Sequence, residues 1–83
     1  MNNRIYDLRE KQVISLADGK LLGSVNDVEI DVENGRLTAL VVVGQRGPGL
    51  FGKEEEFVVQ WDDIEKIGDD VIIVRPQYSR RRN

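Results

Sequence analysis

Val28-Glu29-Ile30-Asp31-Val32-Glu33-Asn34-Gly35-Arg36-Leu37-Thr38-Ala39-Leu40-Val41-Val42-Val43-Gly44 is the stretch whose reading decides the fold. Val28, Ile30 and Val32 alternate with Glu29, Asp31 and Glu33, the period-two pattern of a strand with one buried face and one charged, wet face. Asn34-Gly35 is the dipeptide that best tolerates positive φ at both centres of a type I′ turn, so it predicts a hairpin. The return strand, Arg36 to Gly44, places Leu37, Ala39, Val41 and Val43 on one face and Thr38, Leu40 and Val42 on the other. Both faces are largely apolar. A strand covered on both sides belongs in the centre of a sandwich or closed barrel.

Working outward, Gln12 to Leu16 reads as a short strand and Ala17-Asp18-Gly19-Lys20 as a turn. Leu21 begins the approach to the long strand, with Gly23 marking a bulge or bend. Downstream, Glu56 to Gln60 and the β-branched run Val71 to Val74 add strands. Between them, Asp62 is placed to cap a helical turn and Glu65 to complete a capping box before Gly68 ends it, which predicts one helical turn near residues 62–67. The expected architecture is all-β, a small barrel of five to six short strands with that single turn. Residues 1–75 form the expected domain. Residues 76–83, ending in Arg80-Arg81-Arg82-Asn83, are expected to be a mobile basic tail.

Composition narrows the function classes. The chain has 83 residues, of which 40% are hydrophobic. A domain of this size buries only roughly 60% of the surface its unfolded chain exposes, so most of its apolar residues are needed inside. Cysteine and histidine are both absent, which removes disulfides, zinc-finger ligands, Cys/His nucleophilic pairs and the commonest general base near neutral pH. The expectation is a non-enzyme with no cofactor and no metal. The longest apolar run, Leu40 to Val43, is too short to cross a bilayer, and no signal segment is visible, so a cytoplasmic location without membrane contact is expected. The formal charge is −3; without Arg80 to Arg82, 9 basic residues face 15 acidic ones. An acidic body opposes nucleic-acid binding.

The order Val13-Ile14-Ser15-Leu16, Asp18-Gly19-Lys20, Leu22-Gly23, Val25-Asn26-Asp27, Ile30-Asp31, Gly35-Arg36-Leu37-Thr38-Ala39-Leu40-Val41-Val42, Trp61-Asp62-Asp63-Ile64, Ile67-Gly68 and Asp70-Val71-Ile72-Ile73-Val74 resembles the PRC-barrel domain from about residue 5 to 75. Phe51-Gly52-Lys53-Glu54-Glu55-Glu56 and the run from Ile64 to Ile72 look like its short stand-alone sporulation-associated members, the YlmC/YmxH type of spore-forming Gram-positive bacteria. The resemblance implies a β-barrel that serves as a scaffold or adaptor, and it supplies no catalytic motif to carry over.

Several residues invite a chemical reading. Asp62 and Asp63, with Asp27, suggest a carboxylate cluster, but neighbours on a helical turn diverge by about 100°, and capping plus solvation accounts for them. The Gly-rich segment Gly44 to Lys53 matches neither phosphate-loop pattern and precedes a strand. Lys53 and Glu54 to Glu56 read as a solvated charge run, and Trp61 as a core or rim aromatic. Leu50 and Phe51, flanked by Arg46 and Lys53, are the candidate partner-binding residues, because apolar side chains on a loop mark contact sites. The expected function is a protein-interaction module with an unidentified protein partner or a second copy of itself. The alternative is an RNA- or ribosome-associated accessory domain, suggested by the arginine tail and by the resemblance, which implies a relation to the C-terminal domain of the 16S rRNA-processing factor that binds a ribosomal protein.

Overall fold

The computed structural model describes residues 4–44, 55–75 and 79–81. A short helix, α1 (Ile5–Arg9), is followed by β1 (Gln12–Ser15), β2 (Leu21–Asp31), β3 (Arg36–Gly44), β4 (Glu55–Gln60), a 3₁₀ turn at Trp61–Asp63, β5 (Ile64–Ile67), β6 (Val71–Val74) and β7 (Ser79–Arg81). The strands form one sheet in the order β5-β6-β1-β2-β3-β4-β7. Only β1 and β6 run parallel; every other neighbouring pair is antiparallel.

The expected all-β class holds, with seven strands among the described residues where five or six were foreseen. The sheet is not closed. Its end strands, β5 and β7, are four and three residues long, and β5 is bulged between Ile64 and Lys66. Such short, interrupted edges offer little ladder for closure. Curvature replaces it, because strands from β6 at one side to β4 at the other contribute to a single apolar cluster. Val25, Val42 and Phe57 form one cross-strand row, and Val28, Leu40 and Val59 form the next. Val13 pairs with Ile72 and Ser15 with Val74 on the parallel side.

β3 is central and covered on both sides, as its sequence predicts. Leu40 and Val42 are buried in the main cluster, while Ala39 and Val41 are buried on the opposite face. Leu37 and Val43, expected to be buried with them, are only half-buried. Gly23 is where β2 bends: the pairing with β1 shifts register beside it, and its φ of 145° belongs to glycine. A Cβ there would sit 2.1 Å from the Val43 carbonyl oxygen, so the two backbones cross at a distance that only glycine permits.

Three sequence expectations are corrected. Val28, Ile30 and Val32 do not form a buried stripe: Val28 packs partly on the core, but Ile30 is 51% and Val32 87% exposed. Register shifts between Val25 and Asp27 and between Glu29 and Ile30 break the alternation, and β2 ends before Val32. The hairpin turn is not a two-residue type I′ turn. Asp31 pairs with Arg36, leaving a four-residue connection in which Gly35 alone has positive φ, 65°. The single helical turn, 3₁₀ or α, expected near 62–67 is present as a 3₁₀ turn but is shorter, covering Trp61–Asp63, and Ile64–Ile67 form strand β5. Ile64 and Ile67, three apart, suit a helix face, but the bulge between Ile64 and Lys66 lets a strand bring both against the core.

Asp62 therefore caps nothing: Gln60 precedes the turn, with no side-chain cap bond. Where a free tail was foreseen, Ser79–Arg81 pair with β4 through Glu56, Phe57 and Val58. α1 was not foreseen. Its five residues are too few to show a period, and a single side chain, Leu8, enters the core.

Candidate functional site

The β2–β3 hairpin ends in a connection organised by one carboxylate. The Asp31 backbone oxygen accepts from the Gly35 amide at 2.7 Å. Its carboxylate accepts from the Glu33 amide at 3.0 Å and from the Asn34 side-chain amide at 2.7 Å. The Asn34 side chain first, then the Asn34 backbone and further the Glu33 backbone, holds the Asp31 carboxyl below its ordinary value. Thr38 Oγ1 donates to the Glu29 carbonyl oxygen at 3.1 Å, tying the two strands at the same end.

β4 brings Trp61 to this end. Gln60 pairs with Ala39, so the 3₁₀ turn begins beside Leu37 and Thr38. The result is a groove of about 700 Å³ whose lining includes Asp31, Arg36, Leu37, Gln60, Trp61 and Asp62. Leu37 is half-buried in its wall, and Ile30, its register partner, lies across β2 on the same face. Ile30 and Val32 at the hairpin and Trp61 in the groove wall (38% exposed) are large apolar residues left in solvent, as Ile5, Tyr6, Leu16 and Leu21 are elsewhere. The charged residues of the groove lining are Asp31, Asp62 and Arg36, and the Glu33 amide donates to Asp31 in the same connection.

The structure separates the residues singled out by sequence. Arg46, Leu50, Phe51 and Lys53, the candidate contact residues, lie outside the described residues. Trp61 is a rim aromatic, half in the groove wall and half in water. Asp27 accepts a bond from the amide of its neighbour Val28, and Glu65 pairs with Arg75 at 2.7 Å. Glu56, read as part of a solvated run, is half-buried in β4. Among the described residues no group of three or more acidic side chains is placed to hold a metal ion. No helix among them is long and apolar enough to cross a membrane.

Sequence reasoning missed two features. The apolar residues at the hairpin end were assigned to the core, and nothing short of the bulge positions would have released them. Lys11, only 7% exposed, sends its ammonium to the Gly68 and Asp69 carbonyl oxygens, each at 2.7 Å. It fastens the end of α1 to the β5–β6 turn.

A profile of the PRC-barrel domain matches residues 1–81. The chain is 44% identical over 72 residues to the "Probable sporulation protein YlmC" of Bacillus subtilis, a match covering 86% of this chain and 89% of that protein. It is 33% identical over 73 residues to an uncharacterized protein of Clostridium acetobutylicum, covering 88% and 84% of the two chains. The "Uncharacterized protein YmxH" of Bacillus subtilis is 32% identical over 73 residues, covering 86% of each.

Proposed function

Because the chain belongs to the PRC-barrel domain family, we propose that it is a non-catalytic protein-interaction module, working in the cytoplasm of a spore-forming bacterium during sporulation. The process is suggested by the name of the Bacillus subtilis relative to which it is 44% identical. The mode of action rests on one observation. A domain this small needs its large apolar residues inside, yet Trp61 is exposed in a groove wall it shares with half-buried Leu37, whose register partner Ile30 is exposed as well, and an apolar surface of this kind marks a contact site. The Gly44 to Lys53 segment, with Arg46, Leu50, Phe51 and Lys53, is proposed as a second contact point. The partner is another protein or a second copy of this chain.

In-cell cross-linking of the tagged chain, sampled through growth and sporulation, tests this reading. The expected result is a discrete protein adduct that accumulates in sporulating cells. The double substitution Leu50→Ser and Phe51→Ser weakens that adduct without lowering the thermal midpoint. An adduct at twice the chain mass identifies a homodimer. No adduct at any stage, or one destroyed by ribonuclease, contradicts the proposal; the second outcome favours an RNA-associated role.

A further inference from the structure

The hairpin-end groove has a chemistry that selects its occupant. Leu37 and Trp61 supply apolar wall, Ile30 continues that wall across β2, and among the described lining residues the carboxylates of Asp31 and Asp62, with Glu33 next to Asp31 in the same connection, outnumber the one guanidinium, Arg36. At about 700 Å³ the groove is large enough for a few side chains.

We infer that this groove docks a basic peptide segment of a partner protein, one that places a leucine or aromatic anchor against Trp61 and Leu37 and arginine or lysine beside the surrounding carboxylates. An acidic or purely polar segment is not accepted. Like charge would repel the first, and the second would leave the apolar wall in water. The two contributions divide as they do at other interfaces: the anchor supplies affinity, and the charges supply orientation and partner choice. The inference rests on the interaction-module reading and adds to it a location and a partner chemistry.

Trp61 is the sole tryptophan, so its emission reports on this groove directly. The full chain is titrated with a short blocked peptide alternating arginine with leucine and phenylalanine. Two companions replace its arginines by glutamate or its apolar residues by serine. The expected result is a saturable blue shift with the first peptide alone, weakening as salt is added. Glu33→Lys with Asp62→Lys should weaken binding by about 10-fold or more. Glu10→Lys with Asp70→Lys, which changes the net charge equally outside the groove, should weaken it far less. Ile30→Ser should also weaken binding while the thermal midpoint stays near that of the parent chain.

Absence of a saturable shift, equal binding of the glutamate peptide, or equal losses in the two charge-reversed variants overturns the inference. A shift produced by a single-stranded oligonucleotide in place of the arginine peptide does the same. The wild-type peptide series decides the matter even if a variant fails to fold. A cross-linked partner in sporulating cells that survives the groove substitutions would leave the module reading standing and remove this surface from it.

Discussion

Lys11 shows how one side chain holds distant parts of the sequence together. Its ammonium is nearly covered, and its partners are two main-chain oxygens 57 and 58 residues away. Lys11→Met keeps the apolar stem and deletes both charge-assisted bonds, leaving two carbonyl groups short of a donor. The expected cost is about 2–3 kcal/mol in a denaturant melt; a change within a few tenths of wild type would show that water replaces the ammonium freely. Leu40 and Val32 make a second contrast. Leu40 is fully buried in the centre of the sheet, and Leu40→Ala should cost about 2–5 kcal/mol. Val32 is apolar but stands in water, so Val32→Ala should stay within about 0.5 kcal/mol of wild type. Equal losses at the two sites would restore the buried stripe that the simple alternation suggests.

At the scale of elements, the hairpin connection depends on ionised Asp31. Its carboxyl pKa is lowered in the folded chain by the Asn34 and Glu33 donors. The stability it contributes is therefore complete above the ordinary carboxylate value and is lost as pH falls through the lowered one. The thermal midpoint of Asp31→Ala should lie furthest below wild type near neutral pH, and the gap should narrow on acidification towards about pH 2. A gap independent of pH would place the effect of the substitution in something other than these hydrogen bonds. β5 is less dependent on charge, since its Glu65–Arg75 pair is half exposed and such surface pairs contribute little.

The elements also show what was legible in the sequence. The two apolar faces of β3 were plain from Arg36 to Gly44, because a central strand carries its covering in its own composition. The Gly23 bend was legible for a similar reason: a lone glycine in a strand pattern signals a close backbone approach. Ile30 and Val32 were misread because alternation assumes constant register, and the two register shifts between β2 and β3, one with Asn26 extra in β2 and one with Thr38 extra in β3, depend on how the strands pair. The turn expected from Asp62, Glu65 and Gly68 was drawn too long, since a capping pattern does not show that Ile64–Ile67 pair with β6. α1 and the Lys11 bonds left no local signal, because both are fixed by contacts with chain segments far away.

For the whole molecule, a curved open sheet gathers its core on one cluster and leaves other large apolar residues exposed, Ile30 and Val32 at the hairpin and Trp61 in the groove wall among them. That division separates a surface available for recognition from the interior that maintains the fold. Trp61 stands in the groove wall and outside the buried cluster, a placement set by the pairing of β4 with β3 and so not readable from its neighbours in sequence. The groove was not legible for the same reason: it joins residues 31–37 to residues 60–62, and the pairing of β3 with β4 brings them together.

The most direct test of the account is the count of heat-resistant spores in a strain whose only copy of this chain carries Glu33→Lys and Asp62→Lys. The comparison strains carry the wild-type chain, the Glu10→Lys and Asp70→Lys control, or a deletion. The account predicts that the groove variant, present at wild-type level, falls to the count of the deletion strain while the control stays with wild type. A groove variant that sporulates as well as the control, or a deletion indistinguishable from wild type, would contradict it.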